Sequence, residues 1–419
     1  MPNSNFSFLK NVLLHSVTAY GGPQAHFAMM MKTFVKQKNY ITENELLEYN
    51  ALCQLLPGAS STQIIALVGY KRGGLPLAIL TLMIWVLPAS IFMGAISFLL
   101  HMIDKRDIET DLFKFIAPMA VGFLLFSCVK TFPLAVKNVV SWIIMLAATA
   151  ITYFLFQSPF VFPALIVAGG ITTNITNKRK PEIIAERRKI QWNNLWLFIA
   201  IFVVAGVLSE MARRQNWEYR KPINLFESNY RMGSLVFGGG QVLMPMMMEQ
   251  YSIRPEAVRH RNPDVIQIDK SDMYTGMGLV RAMPGPVFSI ASFTGGMALR
   301  DMGETRLERG TMQAIGCAIA TVGIFLPSFL LVLFFFPIWN NLKKYTVIHR
   351  SLEGINAAVL GIMIGSTFYM MKDISITDAN VLSVLNLGVI VGTSLLLLFS
   401  RIPAPVIVLV CLGLGYWWI

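Results

Sequence analysis

This sequence predicts an all-α, polytopic membrane protein with about thirteen transmembrane or re-entrant helical segments in two repeated halves. Three observations carry that prediction. Of 419 residues, 55% are hydrophobic and only 14% charged, where a soluble domain carries about 25% charge, and mean hydropathy is +0.57. Apolar runs near the ~20 residues that cross a hydrocarbon core recur along the whole chain. The same short motifs also return, in the same order, in the second half. This composition excludes a disordered chain. It also excludes a disulfide scaffold, since only four Cys are present, each inside an apolar run.

Taken in order, the candidate segments lie near 12–31, 45–70, 75–101, 112–131, 136–156 and 160–177, then 194–212, 228–250, 271–297, 311–337, 350–371, 380–400 and 403–419. Met1 to Lys10 shows no basic region followed by a cleavable apolar core, so no signal peptide is expected. Between the halves lies a basic stretch with Lys178, Arg179, Lys180, Arg187, Arg188 and Lys189, expected on the cytoplasmic side. The net charge of +12 is read as this topological signal. Nucleic acid is not an expected partner, because no basic stretch is interleaved with aromatics. The expected organisation is 1–177 as a first repeat, 178–212 as the linker plus one connecting helix, and 213–419 as a second repeat, in the plasma (inner) membrane.

The repeat is visible residue by residue. Tyr20-Gly21-Gly22-Pro23-Gln24 matches Phe237-Gly238-Gly239-Gly240-Gln241, and Met29-Met30-Met31 matches Met246-Met247-Met248, both at an offset of 217. Pro57-Gly58-Ala59 matches Pro284-Gly285-Pro286 at 227, and Leu87-Pro88 matches Leu326-Pro327 at 239. Repeated halves with Gly/Pro-interrupted segments suggest a secondary transporter that binds substrate between the repeats, on broken helices.

These paired motifs resemble the chromate ion transporter family, in its long, two-domain form. They are the aromatic-Gly-Gly-Pro segment at Tyr20 to Pro23, the run Cys53 to Gln63 around Pro57-Gly58-Ala59, and their counterparts at Phe237 to Gln241 and Met283 to Pro286. The resemblance covers nearly the whole chain. Ala59 departs from the family's usual Pro-Gly-Pro. The resemblance implies transport of chromate, an odd number of crossings and inverted halves.

Pro removes a backbone N–H and Gly accepts conformations closed to other residues, so each Pro-Gly should break its segment. Freed backbone groups are tolerated at membrane depth only inside protein or along a wet cavity. Ser60, Ser61 and Thr62 can cap the helix that follows, and a helix N-terminus attracts an oxyanion. The expected substrate-binding residues are therefore Gln54, Pro57, Gly58, Ser60, Ser61, Thr62, Arg281, Pro284, Gly285, Pro286 and Ser289. Arg281 stands in an apolar segment at the repeat position of Gln54 and could grip an oxyanion with paired hydrogen bonds. The competing reading is a partner for an acid, or a snorkelling anchor. The glycine motifs Gly21, Gly22, Pro23, Gln24 and Gly238, Gly239, Gly240, Gln241 read equally as helix-packing residues or as a second pair of broken helices. Glu45, Glu48, Asp272 and His26 are candidate proton-coupling groups. The blander alternative is first-turn acids that suit the helix dipole and a packed His.

No cofactor and no metal is expected, since no His/Cys/Asp/Glu cluster has ligand spacing and there is no Walker loop. The expected partners are a small oxyanion (chromate, with sulfate as the alternative) and the lipid bilayer, with a homodimer left open. A channel or membrane-embedded enzyme is the alternative of another class. One conflict stands. If 45–70 and 271–297 re-enter rather than cross, the Lys/Arg asymmetry improves but the halves run parallel.

Overall fold

The computed structural model describes residues 5–20, 22–102, 113–158, 160–176, 192–237, 240–258, 265–342, 346–372, 374, 381–400 and 402–417. The basic stretch 178–189 and Gly21, Gly238 and Gly239 lie outside them. Among the described residues every regular element is helical.

The first half opens with two helical hairpins. Helix α1 (Asn5–Thr18) ends before the glycine motif, and α2 (Gly22–Met30) runs on through a π-helical turn at Met31–Gln37. At 14 residues, α1 is about 21 Å long and too short to cross a bilayer. The chain instead turns back on itself. Asn11 donates to the Tyr40 hydroxyl at 2.7 Å, and the Phe8 and Tyr40 rings meet edge-on at 5.2 Å. The second hairpin pairs α3 (Glu43–Leu55) with the start of α4 (Ser60–Met102), around Leu56-Pro57-Gly58-Ala59. Helix α4 is interrupted at Gly73 and Gly74, whose dihedrals are not helical. Lys71, just before that interruption, forms an ion pair with Glu45 in the first turn of α3, so the hairpin mouth is closed. Residues 75–102 of α4, then α5 (Ile116–Ala135), α6 (Val139–Phe154) and α7 (Val161–Thr176) complete this half.

After α8 (Asn193–Arg214) the pattern returns. Helix α9 (Arg220–Leu235) and α10 (Gly240–Met248), with its π-helical turn Glu249–Ile253, form a third hairpin. Its ends meet where the Tyr251 hydroxyl contacts Ser228 and Asn229, both at 2.8 Å. After a short α11 (Arg254–Val258), α12 (Lys270–Leu279) and α13 (Ile290–Leu299) form a fourth hairpin around Met283 to Pro286. Arg300 closes its mouth on Asp272 at 3.3 Å. Then come α14 (Arg306–Leu342), α15 (Thr346–Met371), α16 (Val381–Phe399) and α17 (Ala404–Trp417). Among the described residues, six helices are long and apolar enough to cross a membrane: α4, α5, α8, α14, α15 and α16.

The open question at 45–70 and 271–297 therefore resolves toward hairpins. The physical reason is length. Each Pro-Gly stops a helix of 13 or 10 residues, which reaches only partway through a bilayer. The run at 12–31, expected as one segment, is also broken and folded back at the glycine motif. The halves interlock beyond the hairpins, with α15 packing on α6 and α7, and α5 on α16.

Candidate functional site

The four hairpin tips converge. Gly58 has φ +112° and Gly285 φ +105°, a left-handed region that strains any residue with a Cβ. That conformation turns each Pro-Gly amide outward, onto the opposite half. The Gly58 N–H donates to the Val236 carbonyl at 2.6 Å, and the Gly285 N–H donates to the Ala19 carbonyl at 2.8 Å. Both acceptors are carbonyls left free where a helix stops: Ala19 just after α1, Val236 just after α9. Ala19 and Val236 are repeat equivalents at the offset of 217. The exchange is therefore reciprocal, with each Pro-Gly tip docking on the glycine-motif tip of the other half. The neighbours obey the same rule. A Cβ on Gly58 would fall 2.2 Å from Ser328 Cβ, and one on Gly285 would fall 2.9 Å from Ala89 Cβ. Ser328 and Ala89 each follow the Leu-Pro of their half.

Between the tips lies a small pocket lined by Pro23, His26, Ala59, Ser61, Gly240 and the run Pro286 to Phe288. It has room for about one water molecule. All four hairpins contribute to this lining. His26 ties the first two tips together: its Nδ1 lies 3.2 Å from Ser61 Oγ and its Nε2 3.2 Å from the Ala19 carbonyl. Ser61, His26, Thr62 and Ser289 are all buried. The hydroxyls of Ser61 and Thr62 do not cap their own helix: Thr62 accepts the Trp85 indole N–H at 3.1 Å. The Ser289 hydroxyl, at the repeat position of Thr62, is buried without a hydrogen-bond partner.

Arg281 stands three residues before Pro284, half-buried between α10 and α5. Its guanidinium lies 5.8 Å from the Phe123 ring centroid, and Nη2 reaches the Met244 sulfur at 3.5 Å. Its Nε is buried without a partner. Among the described residues no carboxylate pairs with it, so the acid-partner reading has no support. It does not line the pocket. Its repeat equivalent Gln54 is exposed on α3 and does not line the pocket either. Ser60 and Pro57 are half-buried in the first tip, and Pro284 in the second. The side chains of Gln24 and Gln241 lie outside the described residues.

The acids lie at the mouths of the hairpins. Glu45 forms a capping box with Thr42. Burial raises its pKa, but hydrogen bonds from Lys71 and Thr42 outweigh that and hold the carboxyl below its ordinary value. A group ionised this firmly is a poor proton carrier near neutral pH. Glu48 is exposed. Glu45→Gln should leave substrate movement within about twofold of wild type and cost under about 1 kcal/mol of stability, as for a surface pair. The stability Glu45 adds is present above the carboxyl's unfolded pKa and is lost as pH falls through its lower folded pKa. Melting temperature and transport, measured on one preparation, check both halves of this expectation. Abolished transport would return a coupling role to Glu45.

Two residues carry more of the site than sequence reasoning gave them. Gln63 donates from Nε2 to the Pro57 carbonyl at 2.9 Å and to the Ser328 carbonyl at 3.2 Å, pinning the first tip to the second half. His26, expected as a coupling candidate or a packed His, lines the pocket. Arg231 pairs with Glu227 at 2.8 Å.

A chromate transporter family profile matches residues 6–173 and again 223–416. An uncharacterized transporter of Methanocaldococcus jannaschii is 25% identical over 99% of this chain and 93% of the relative. A chromate transport protein of Cupriavidus metallidurans is 23% identical over 93% of this chain and 87% of its own length. One of Pseudomonas aeruginosa is 23% identical over 98% and 90%. No solved structure matches this chain.

Proposed function

Because this chain belongs to the chromate transporter family, we propose that it is a secondary transporter that carries chromate, or a closely similar oxyanion, out across the plasma membrane. The observation that carries the reading is the convergence of four broken-helix tips from both halves on one pocket. Broken helices at a repeat interface are where secondary transporters bind. Arg281, with an unpartnered buried Nε, supplies a positive charge on the fourth hairpin, and Ser61 and Ser289 supply hydroxyls near its tip and that of the second. The pocket is too small for a tetrahedral dianion in this conformation. Substrate entry therefore requires the tips to part, as alternating access does.

We read the halves, 1–177 and 213–419 joined through 178–212, as inverted. With all four hairpins re-entrant, α4, α5 and α8 cross between the starts of the two halves, an odd number. Helices α6 and α7 follow one another and add two crossings or none, so the parity holds. The parallel arrangement arises only when one pair of hairpins re-enters and the other pair crosses. The basic stretch then puts the mouths of the first two hairpins in the cytoplasm.

The test is chromate accumulation in cells expressing the intact chain beside cells without it. Lower accumulation is the expected result. Unchanged accumulation would remove chromate as substrate and send the assay to sulfate and other oxyanions. Higher accumulation would make the protein an importer.

A further inference from the structure

We propose that His26 is the proton site of this transporter, taking up its proton together with the oxyanion and turning Ser61 toward the pocket as it does so. This rests on the oxyanion reading of the tip pocket. The hydrogen-bond partners assign the tautomer. The Ala19 carbonyl can only accept, so Nε2 carries the hydrogen toward it. Nδ1 is then the acceptor, and the Ser61 hydroxyl spends its one proton on it. In this state Ser61 faces the pocket with no donor to offer. A proton arriving at Nδ1 reverses that bond. Nδ1–H now donates to Ser61 Oγ, and the Ser61 hydroxyl hydrogen is released to point at an anion. One proton thus adds a positive charge to the pocket wall and converts Ser61 into a donor.

The surroundings favour a single charge there. His15 packs on the same Trp85 as His26, with the His26 and His15 ring centroids 5.3 Å and 5.4 Å from it, and the His15 Nε2 is buried without a partner. His15, on α1, is a second titratable group in this cluster. Helix α4 presents Ser61 and Trp85, the second Pro-Gly tip presents Pro286 to Phe288, and α10 presents Gly240. Two imidazolium ions sharing one cluster repel, which disfavours charging both at once. The Ala19 carbonyl also accepts the Gly285 N–H from the opposite half, so the His26 ring shares an acceptor with the second tip.

The second half has no equivalent. The position matching His26 at the offset of 217 is Leu243, which is fully buried. Conversely, the fixed charge of Arg281 is matched by Gln54. After duplication, one half holds the permanent cation and the other the titratable one. A dianion moving with one proton carries a net charge of −1, so an inside-negative potential still favours its exit.

The experiment uses the purified full chain in detergent, titrated with chromate in weak buffer with a pH indicator, at a pH where free chromate is the dianion. Wild type should take up about one proton per chromate bound, and its Kd should rise about tenfold per pH unit on the alkaline side. His26→Gln should bind chromate without proton uptake and with a Kd flat in pH. Should that variant not fold, Ser61→Ala, which keeps His26, should still take up the proton but bind roughly tenfold more weakly, as for one lost hydrogen bond. Chromate binding by wild type without proton uptake overturns the proposal alone, as does undiminished proton uptake in His26→Gln or full affinity in Ser61→Ala. No chromate binding by wild type overturns the oxyanion reading and this proposal with it.

Discussion

Replacing Arg281 with Gln is expected to abolish chromate movement while leaving the protein folded in the membrane. A charge inside an apolar segment is expensive and persists where something needs it. Here the guanidinium rests on Phe123 and Met244, contacts too weak to balance its desolvation. Its buried Nε has no partner. A tetrahedral oxyanion would supply acceptors for Nε and a terminal N–H together. Removing one partner of a buried charge pair costs about 2–5 kcal/mol, roughly a 30- to several-thousand-fold loss of affinity at about 1.4 kcal/mol per tenfold. Gln fills much of the same space and relieves the desolvation, so stability should hold or rise. Arg281→Lys keeps the charge but loses the fork and should fall between the two. The readout is chromate accumulation at matched membrane abundance, beside chromate affinity of the purified protein. Wild-type transport by Arg281→Gln would remove this residue from the site.

Gly58→Ala is expected to lower both the stability and the transport rate of the protein. Two costs add. At φ +112° a Cβ strains the backbone by about 1–3 kcal/mol. That Cβ would also lie 2.2 Å from Ser328 Cβ, an overlap that forces helices apart at a further cost of about 1–3 kcal/mol. Because the Gly58 N–H is bonded to Val236, the displacement opens the contact between the halves. The melting temperature in detergent and the transport rate should both fall. Gly285→Ala should do less, since its Cβ meets Ala89 Cβ at 2.9 Å. Adding Ser328→Gly to Gly58→Ala should restore part of the melting temperature, the part due to overlap. A Gly58→Ala protein that melts like wild type would show that the first tip does not dock on the second half as described.

Much of this site is legible in the chain. Pro57-Gly58 and Pro284-Gly285 mark the breaks, because the absent N–H of Pro and the absent Cβ of Gly act on their own residue. The glycine motifs mark the other two tips for the same reason. Arg281 is conspicuous as a charge in an apolar run. His26 reads in the sequence as a coupling candidate beside a motif, or as a packed His. What promotes it is Ser61, 35 residues away, and no local pattern encodes that distance. Gln54 shows the reverse: its position repeats that of Arg281, yet its side chain is exposed, since a duplicated position need not keep its environment.

The sequence by itself determined the membrane class, the helical content, the duplication and the places where helices stop. Each follows from composition, period or a residue's own backbone chemistry, and all of these act within a few residues. Only the tertiary structure decided that the broken segments fold back as hairpins, and that each Pro-Gly tip docks on the other half's glycine-motif tip. A helix that stops inside a membrane leaves carbonyls that must be satisfied. The residue that satisfies each one, Gly58 for Val236 and Gly285 for Ala19, lies in the opposite half of the chain, and only the packed structure brings them together.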